Sequence, residues 1–599
     1  MLTLLLTLFV QFGVPEDPDS QAEYKAFMSS CTRLEGTTPA QWRVIWTENP
    51  AHVATIGWST FDPGTTHEVR WSTTPGDATP TVVQASRNGQ YIPSDKETSA
   101  GFVAPYFHHV RLTELPGDST IWFQIVSDGV ASRELHFRTA SDEATSVTFL
   151  AGGDSRTGLL DRCRLNAQIA RRLETDGDIL FFSHGGDYIF DGKKWSDWWL
   201  WLTQFELMTA ADGRVLPIVP VRGNHDVGPI YGQVFDDPGA PRPNYWTTRV
   251  GSLALVNLNT EISAAGDQKQ WMSQELAARR ADARWVVPNY HRALFPAVKA
   301  PARAKVHWVP LFDEHRADLV LESDGHVFKR TVPIFEGKPD PRGTVYMGEG
   351  GLGVPQRKPR RNLWYFEGGG RTAAAHHVMR IAATPDELRV TTLGMGELIV
   401  DFEPKELEPV LASGSSAAYF FGEQPPPETW NTRGFDDSNW SSGPGGFGFG
   451  DDDDRTVLAE MHKLTPRLYL RYELDDSTLR GFERLGLAAR YDDGFIAYLN
   501  GVEVARGGIE SGHGVNATGV ANHEATRWEH FAIEGHTDLL MDGVNVLALE
   551  GHNVTARSKD FSLDVALVTQ LPPASLVRDP GLWVLDETTI RPATARFAR

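Results

Sequence analysis

At 599 residues the chain is too long for a single hydrophobic core, and three domains are the natural expectation. Its formal charge of −21 argues against nucleic acid as a partner, because a phosphate backbone would be repelled. No interior run is long and apolar enough to span a bilayer, and the two cysteines, Cys31 and Cys163, offer no disulfide framework.

In chain order, the first ten residues, Met1 to Val10, have the length and apolarity of a signal-peptide core, so residues 1–20 read as a leader and the protein as secreted or periplasmic. No Lys or Arg precedes that core and no A-x-A site follows it, which keeps a mis-chosen start codon open as the other reading. Residues 33–140 then read as an all-β module. Short strand-like runs such as Trp42 to Trp46, Ala54 to Trp58 and Ile121 to Ile125 are separated by Gly, Pro and Asp turns, a pattern that suggests a fibronectin-like sandwich.

Residues 145–400 change character. The apolar runs Val147 to Ala151, Ile179 to Phe182, Leu216 to Val219, Trp285 to Val287 and Leu319 to Leu321 each end in a polar loop, as buried strands with functional loops at their carboxyl ends do. Leu165, Ile169 and Leu173 recur at helical spacing between the first two runs, which predicts a crossover helix and a βαβ unit. After a Ser/Gly linker near residue 413, residues 412–572 read as another β domain, with an Asn500-Gly501 hairpin turn at its centre. The acidic run Asp451 to Asp454 offers oxygens for a structural calcium ion, or is a solvated loop.

The loops carry the chemistry. They read Gly153-Asp154-Ser155-Arg156, Gly186-Asp187, Gly223-Asn224-His225-Asp226, Tyr290-His291 and Ser323-Asp324-Gly325-His326. Carboxylate, amide oxygen and imidazole suit hard and borderline cations, and several converging from different strand ends make a site for a metal pair. One Gly-Asp pair alone is usually a turn. The order GD, GD, GNHD, H and a final acidic-His pair followed by Phe328-Lys329-Arg330-Thr331 resembles the calcineurin-like metallophosphoesterases, and within them the purple acid phosphatases.

That resemblance implies a central α/β/β/α sandwich, with the 33–140 module similar to the family's small N-terminal domain. The C-terminal region resembles jelly-roll, galactose-binding-like modules, which makes a polysaccharide ligand an analogy at the level of fold. It further implies two ions, iron, manganese or zinc, with Asp187 bridging, Asp154 on the first and Asn224 with His291 on the second. Matching Phe328-Lys329-Arg330-Thr331 to the family's tail gives Asp324 to the second ion and His326 to the first. The alternative register would put Phe328 on a ligand position. His225 would act at the phosphate or leaving oxygen with Asp226 orienting its ring, and Arg156 would donate a fork to a phosphate oxygen or form a salt bridge.

One position departs from the family. Where the purple enzymes carry a tyrosinate ligand stands Phe190, so the first ion lacks an oxygen donor unless Asp191, Tyr188 or water supplies it. Two functions are compatible with the sequence. The first is hydrolysis of phosphoesters, monoesters before diesters. The second is a non-catalytic, secreted carbohydrate- or surface-binding protein whose phosphatase domain has decayed.

Overall fold

The computed structural model describes residues 18–237, 244–395, 403–450, 454–476, 479–482, 485–518, 528–533, 535–569 and 582–596, with 520, 523 and 525. The chain divides into two compact units, Met1–Glu397 with Asp579–Arg599, and Leu398–Arg578.

The first unit is built on two sheets. One has ten strands, in the order Leu582–Ile590, Leu388–Met395, His376–Ala383, Val147–Gly152, Ile179–His184, Ile218–Pro220, Ala40–Ile45, Ala54–Thr60, Tyr106–Leu112 and Arg87–Gln90. The other has seven, in the order Trp246–Val250, Leu253–Asn257, Trp285–Arg292, Leu319–Ser323, Val345–Gly348, Phe328–Arg330 and Arg371–Ala373. Phe149, Phe181 and Val219 of the first sheet and Leu255, Val287, Leu321 and Met347 of the second share one core, so the sheets pack face to face. The helix Leu159–Thr175 lies on the outer face of the first sheet, where Leu165, Ile169 and Leu173 are buried together with Leu150 and Phe182. Each such burial stabilises by about 1.5–3 kcal/mol relative to exposure. Helices Asp267–Asp282 and Lys305–Glu314 cover the second sheet through Met272, Leu276, Trp308 and Phe312. The layers run α/β/β/α.

The expected βαβ unit is present. Thr148 pairs with Ile179 in parallel, and the connection between their strands is the helix Leu159–Thr175. The N-terminal module has one five-stranded sheet of its own and gives four strands to the ten-stranded sheet, so it does not stand apart as a flanking body. Strand Ala40–Ile45 is buried at all six residues and pairs in parallel with Ile218–Pro220, which makes the ten-stranded sheet continuous. A fully buried strand leaves backbone donors that another strand must satisfy, and Ile218–Pro220 supplies the partner. The strand Leu582–Ile590, on the far side of the second unit in sequence, pairs with Leu388–Met395 at the opposite edge. Asp318 anchors the turn after this strand: its carboxylate accepts hydrogen bonds from Ala593 N at 2.8 Å, Val286 N at 3.0 Å and Arg280 Nη1 at 2.7 Å.

The second unit holds two six-stranded, almost wholly antiparallel sheets. Leu468, Leu470 and Leu549 of one sheet and Phe447, Leu487 and Leu563 of the other enclose its core. Residues 1–17, which include the apolar run Met1 to Val10 on which the leader reading rests, and residues 451–453 of the acidic run lie outside the described residues. Asp454 accepts a hydrogen bond from Ser562 Oγ at 3.2 Å.

Candidate metal centre

The parallel strands Val147–Gly152, Ile179–His184, Ile218–Pro220, Trp285–Arg292 and Leu319–Ser323 deliver their carboxyl ends to one place. Open α/β sheets bind their ligands at such ends. The loops turn sharply there. Asp154, Asp187, Asp324 and His326 have φ of 60°, 57°, 74° and 66°, a left-handed region that costs a non-glycine residue about 1–3 kcal/mol and gathers at functional sites. Gly186 is required before Asp187: at its φ of 94°, a Cβ would come within 2.5 Å of Gly223 N and 2.9 Å of His291 Nδ1.

Asp154, Asp187 and His291 are buried, and one ligand atom from each lies within 4.8 Å of the other two. Around them, His291 Nε2 is 3.2 Å from Asp187 Oδ1, 3.2 Å from Asn224 Oδ1 and 3.5 Å from Asp324 Oδ1. Its Nδ1 donates to Gly185 O at 2.8 Å. A carbonyl can only accept, so that bond turns Nε2 and its ligand orbital toward the carboxylates. His326 Nε2 is 3.4 Å from Asp154 Oδ1. Phe328 lies in the core against the His377 ring.

Two buried carboxylate oxygens, Asp154 Oδ1 and Asp187 Oδ2, accept no hydrogen bond. Buried charges are ordinarily paired or metal-bound, so oxygens left in this way fit a cation. The titration pattern has the same origin. Burial works against the His291 cation, but the charge and hydrogen bond of Asp187, with Asp324, hold its pKa well above the usual range. Burial likewise opposes ionised Asp324, and His291 and then Lys299 outweigh it and hold its pKa low. With negative charge this concentrated, a proton on His291 stands in for a metal cation, and metal uptake would release it.

His225 places its Nδ1 2.6 Å from Phe190 O. That carbonyl requires the proton on Nδ1, which leaves Nε2 to face the site, 3.9 Å from Asp187 Oδ2. Asp226 differs from expectation. Its carboxylate does not orient the His225 ring but accepts from the backbone N–H groups of Asp187 at 2.8 Å, Tyr188 at 3.0 Å and Gly223 at 2.7 Å. Being fully buried between two metal-site loops, it satisfies their amides; burial, then the Asp187 charge, raise its pKa to about 7. Tyr188 is also excluded from the centre: fully buried, it stacks on His184 and donates from its hydroxyl to His184 O at 3.3 Å. Asp191 accepts from Lys193 N at 3.1 Å in its own loop.

Arg156 reaches into the ligand set, with Nε 3.3 Å from Asp187 Oδ2. Lys299 was not anticipated. Its Nζ lies 2.5 Å from Asp324 Oδ1, but it sits in an Ala-Val-Lys-Ala-Pro segment that matches no motif. Also missed was the buried set beneath the Asp324 loop. Lys329 bonds Glu322, Glu322 accepts from Tyr290 Oη at 2.7 Å, and Glu349 accepts from Ala297 N at 2.7 Å. Burial raises the Glu349 pKa to about 7.

Residues 39–139 match the model of the purple acid phosphatase N-terminal domain, and residues 159–328 match that of the calcineurin-like phosphoesterases. An uncharacterized protein of Mycobacterium tuberculosis is 25% identical over 328 residues, covering 47% of this chain and 59% of its own. Purple acid phosphatase 18 of Arabidopsis thaliana is 21% identical over 329 residues, covering 49% of this chain and 68% of its own. The chain thus spans about three-fifths to two-thirds of the length of these curated relatives. The structure of a purple acid phosphatase from yellow lupin (Lupinus luteus) seeds shares the fold, with a TM-score of 0.51 at 16% identity over 59% of this chain and 72% of that one. The chain thus carries a region similar to the purple acid phosphatase N-terminal domain, followed by a region similar to the calcineurin-like phosphoesterases.

Proposed function

We propose that the protein hydrolyses phosphoesters, monoesters in preference to diesters, at a metal centre held by Asp154, Asp187, Asn224, His291, Asp324 and His326. The observation that carries this reading is the convergence of these donors from five strand ends around the two unsatisfied carboxylate oxygens, Asp154 Oδ1 and Asp187 Oδ2. A bound cation would supply the chemistry of a Lewis acid there, polarising the phosphoryl group and acidifying water.

The chain's own residues do the rest. Asp226 fixes the Asp187 and Asn224 loops through three amides, so the donors are set before substrate arrives. His225, its Nδ1 proton committed to Phe190 O, presents Nε2 as the group that exchanges a proton with the leaving oxygen. Arg156 and Lys299 bring positive charge to a site rich in carboxylates, which favours a phosphate dianion over a monoanionic diester. The apolar run at residues 2–10 supports export to a secreted or periplasmic location. The two-sheet second unit is compatible with a jelly roll and with a polysaccharide ligand.

The test is turnover by the purified full chain, loaded with manganese or zinc, of p-nitrophenyl phosphate and bis(p-nitrophenyl) phosphate. The expected result is a higher kcat/KM for the monoester. A higher value for the diester would reverse the preference, and no turnover of either ester would overturn the reading.

A further inference from the structure

Arg156 stands among the donors that the family resemblance gives to the first ion. Its Nε is 3.3 Å from Asp187 Oδ2, and its Nη2 is 3.2 Å from His326 Nε2. Its guanidinium carbon lies 5.8 Å from the centroid of the Phe190 ring, and Phe190 occupies the position of the missing tyrosinate. One side chain, only 10% exposed, thus touches three of the four residues at the first ion's ligand positions. The fourth, Asp154, groups with Asp187 and His291 as ligands close enough to share one ion.

A guanidinium stays protonated in proteins, so this is a fixed positive charge. Asp154, Asp187 and Asp324 bring three negative charges, and Arg156 with Lys299 brings two positive. One divalent ion would leave the set one charge positive, ready for a phosphate. Two divalent ions would leave it three positive, with a guanidinium pressed against one of them. The donors therefore fit one ion and do not fit the second.

We propose that Arg156 is a built-in replacement for the first metal ion, so that the centre takes a single divalent cation per chain, held by Asp154, Asp187 and His291 beside Asn224 and Asp324. The phosphate is then gripped between that ion and the guanidinium. Phe190 and Arg156 belong to one exchange: loss of the phenolate removes an anionic ligand, and the arginine brings the positive charge without needing ligands.

This inference rests on the phosphoesterase reading, and metal stoichiometry separates the two. The full chain, stripped with a chelator, is dialysed against excess Mn(II), and bound metal is counted by mass spectrometry and inspected by electron paramagnetic resonance. The expected result is one equivalent, with the six-line spectrum of an isolated ion. Arg156→Ala should rise to two equivalents with the spectrum of a coupled pair, and Arg156→Lys should stay at one. Arg156→Gln, which keeps the length but not the charge, replaces the alanine variant if that one does not fold. Two equivalents in the unaltered chain, or one in both neutral variants, would overturn the inference and leave the phosphoesterase reading standing. No bound metal in the unaltered chain would overturn both.

Discussion

Replacing Asp226 by Asn distinguishes a residue that holds two loops together from one that orients a catalytic imidazole. The Asp226 side chain is fully buried; Oδ2 accepts from Asp187 N and Gly223 N, and Oδ1 from Tyr188 N. An amide can keep the first two bonds through its one oxygen, but then its NH2 faces the Tyr188 N–H and leaves one buried donor unsatisfied. That costs about 1–3 kcal/mol. Asp226→Ala strands all three donors and should cost about 3 kcal/mol or more on the same scale. Guanidinium unfolding, read at the transition that releases bound metal, measures the effect, with kcat for p-nitrophenyl phosphate taken in parallel. The midpoint should be lowest in the Ala variant, intermediate in the Asn variant and highest in the unaltered chain. An Asn variant with an unchanged midpoint and a lowered kcat would refute this and return Asp226 to the role of orienting His225.

Asp187→Asn should lose metal and turnover together, because its Oδ1 lies 3.2 Å from His291 Nε2 and its buried Oδ2 accepts no hydrogen bond, whereas His225→Ala should keep its metal and lose rate; loss of metal in the His225 variant would make that residue a ligand. Asp324→Ala should weaken metal retention, measured by dialysis. Phe328→Ala should instead retain metal and lose about 3–5 kcal/mol of stability, as a truncated core aromatic does; the opposite pattern would restore the other register. Loaded with iron, the protein should show no tyrosinate charge-transfer band, since Phe190 cannot ligate and Tyr188 is held in the core by His184 and Trp201. A strong visible band that vanishes in Tyr188→Phe would falsify that assignment.

The parts of the fold legible in the sequence came from local signals. The five apolar runs, each ending in a polar loop, gave the strands and the donors, and the spacing of Leu165, Ile169 and Leu173 gave the crossover helix. The parts that were not legible depend on partners distant in sequence or on backbone groups. Asp226 reads as part of a GNHD motif, but its partners are amides, which every residue except proline carries. Lys299 fits no pattern because its role depends on where residues 293–299 return after strand Trp285–Arg292, and that return is fixed partly by the buried Glu349. The junction of Ile45 with Ile218 and the late strand Leu582–Ile590 join segments whose own sequences say only that they are strands.

The central claim is that phosphoester turnover depends on a cation held by these loops, and chelation of the full chain tests it most directly. Turnover of p-nitrophenyl phosphate should disappear when the metal is stripped and return on adding Mn(II) or Zn(II), with no return in Asp187→Asn. Undiminished turnover by the stripped chain, with its metal content verified as zero, would contradict that claim.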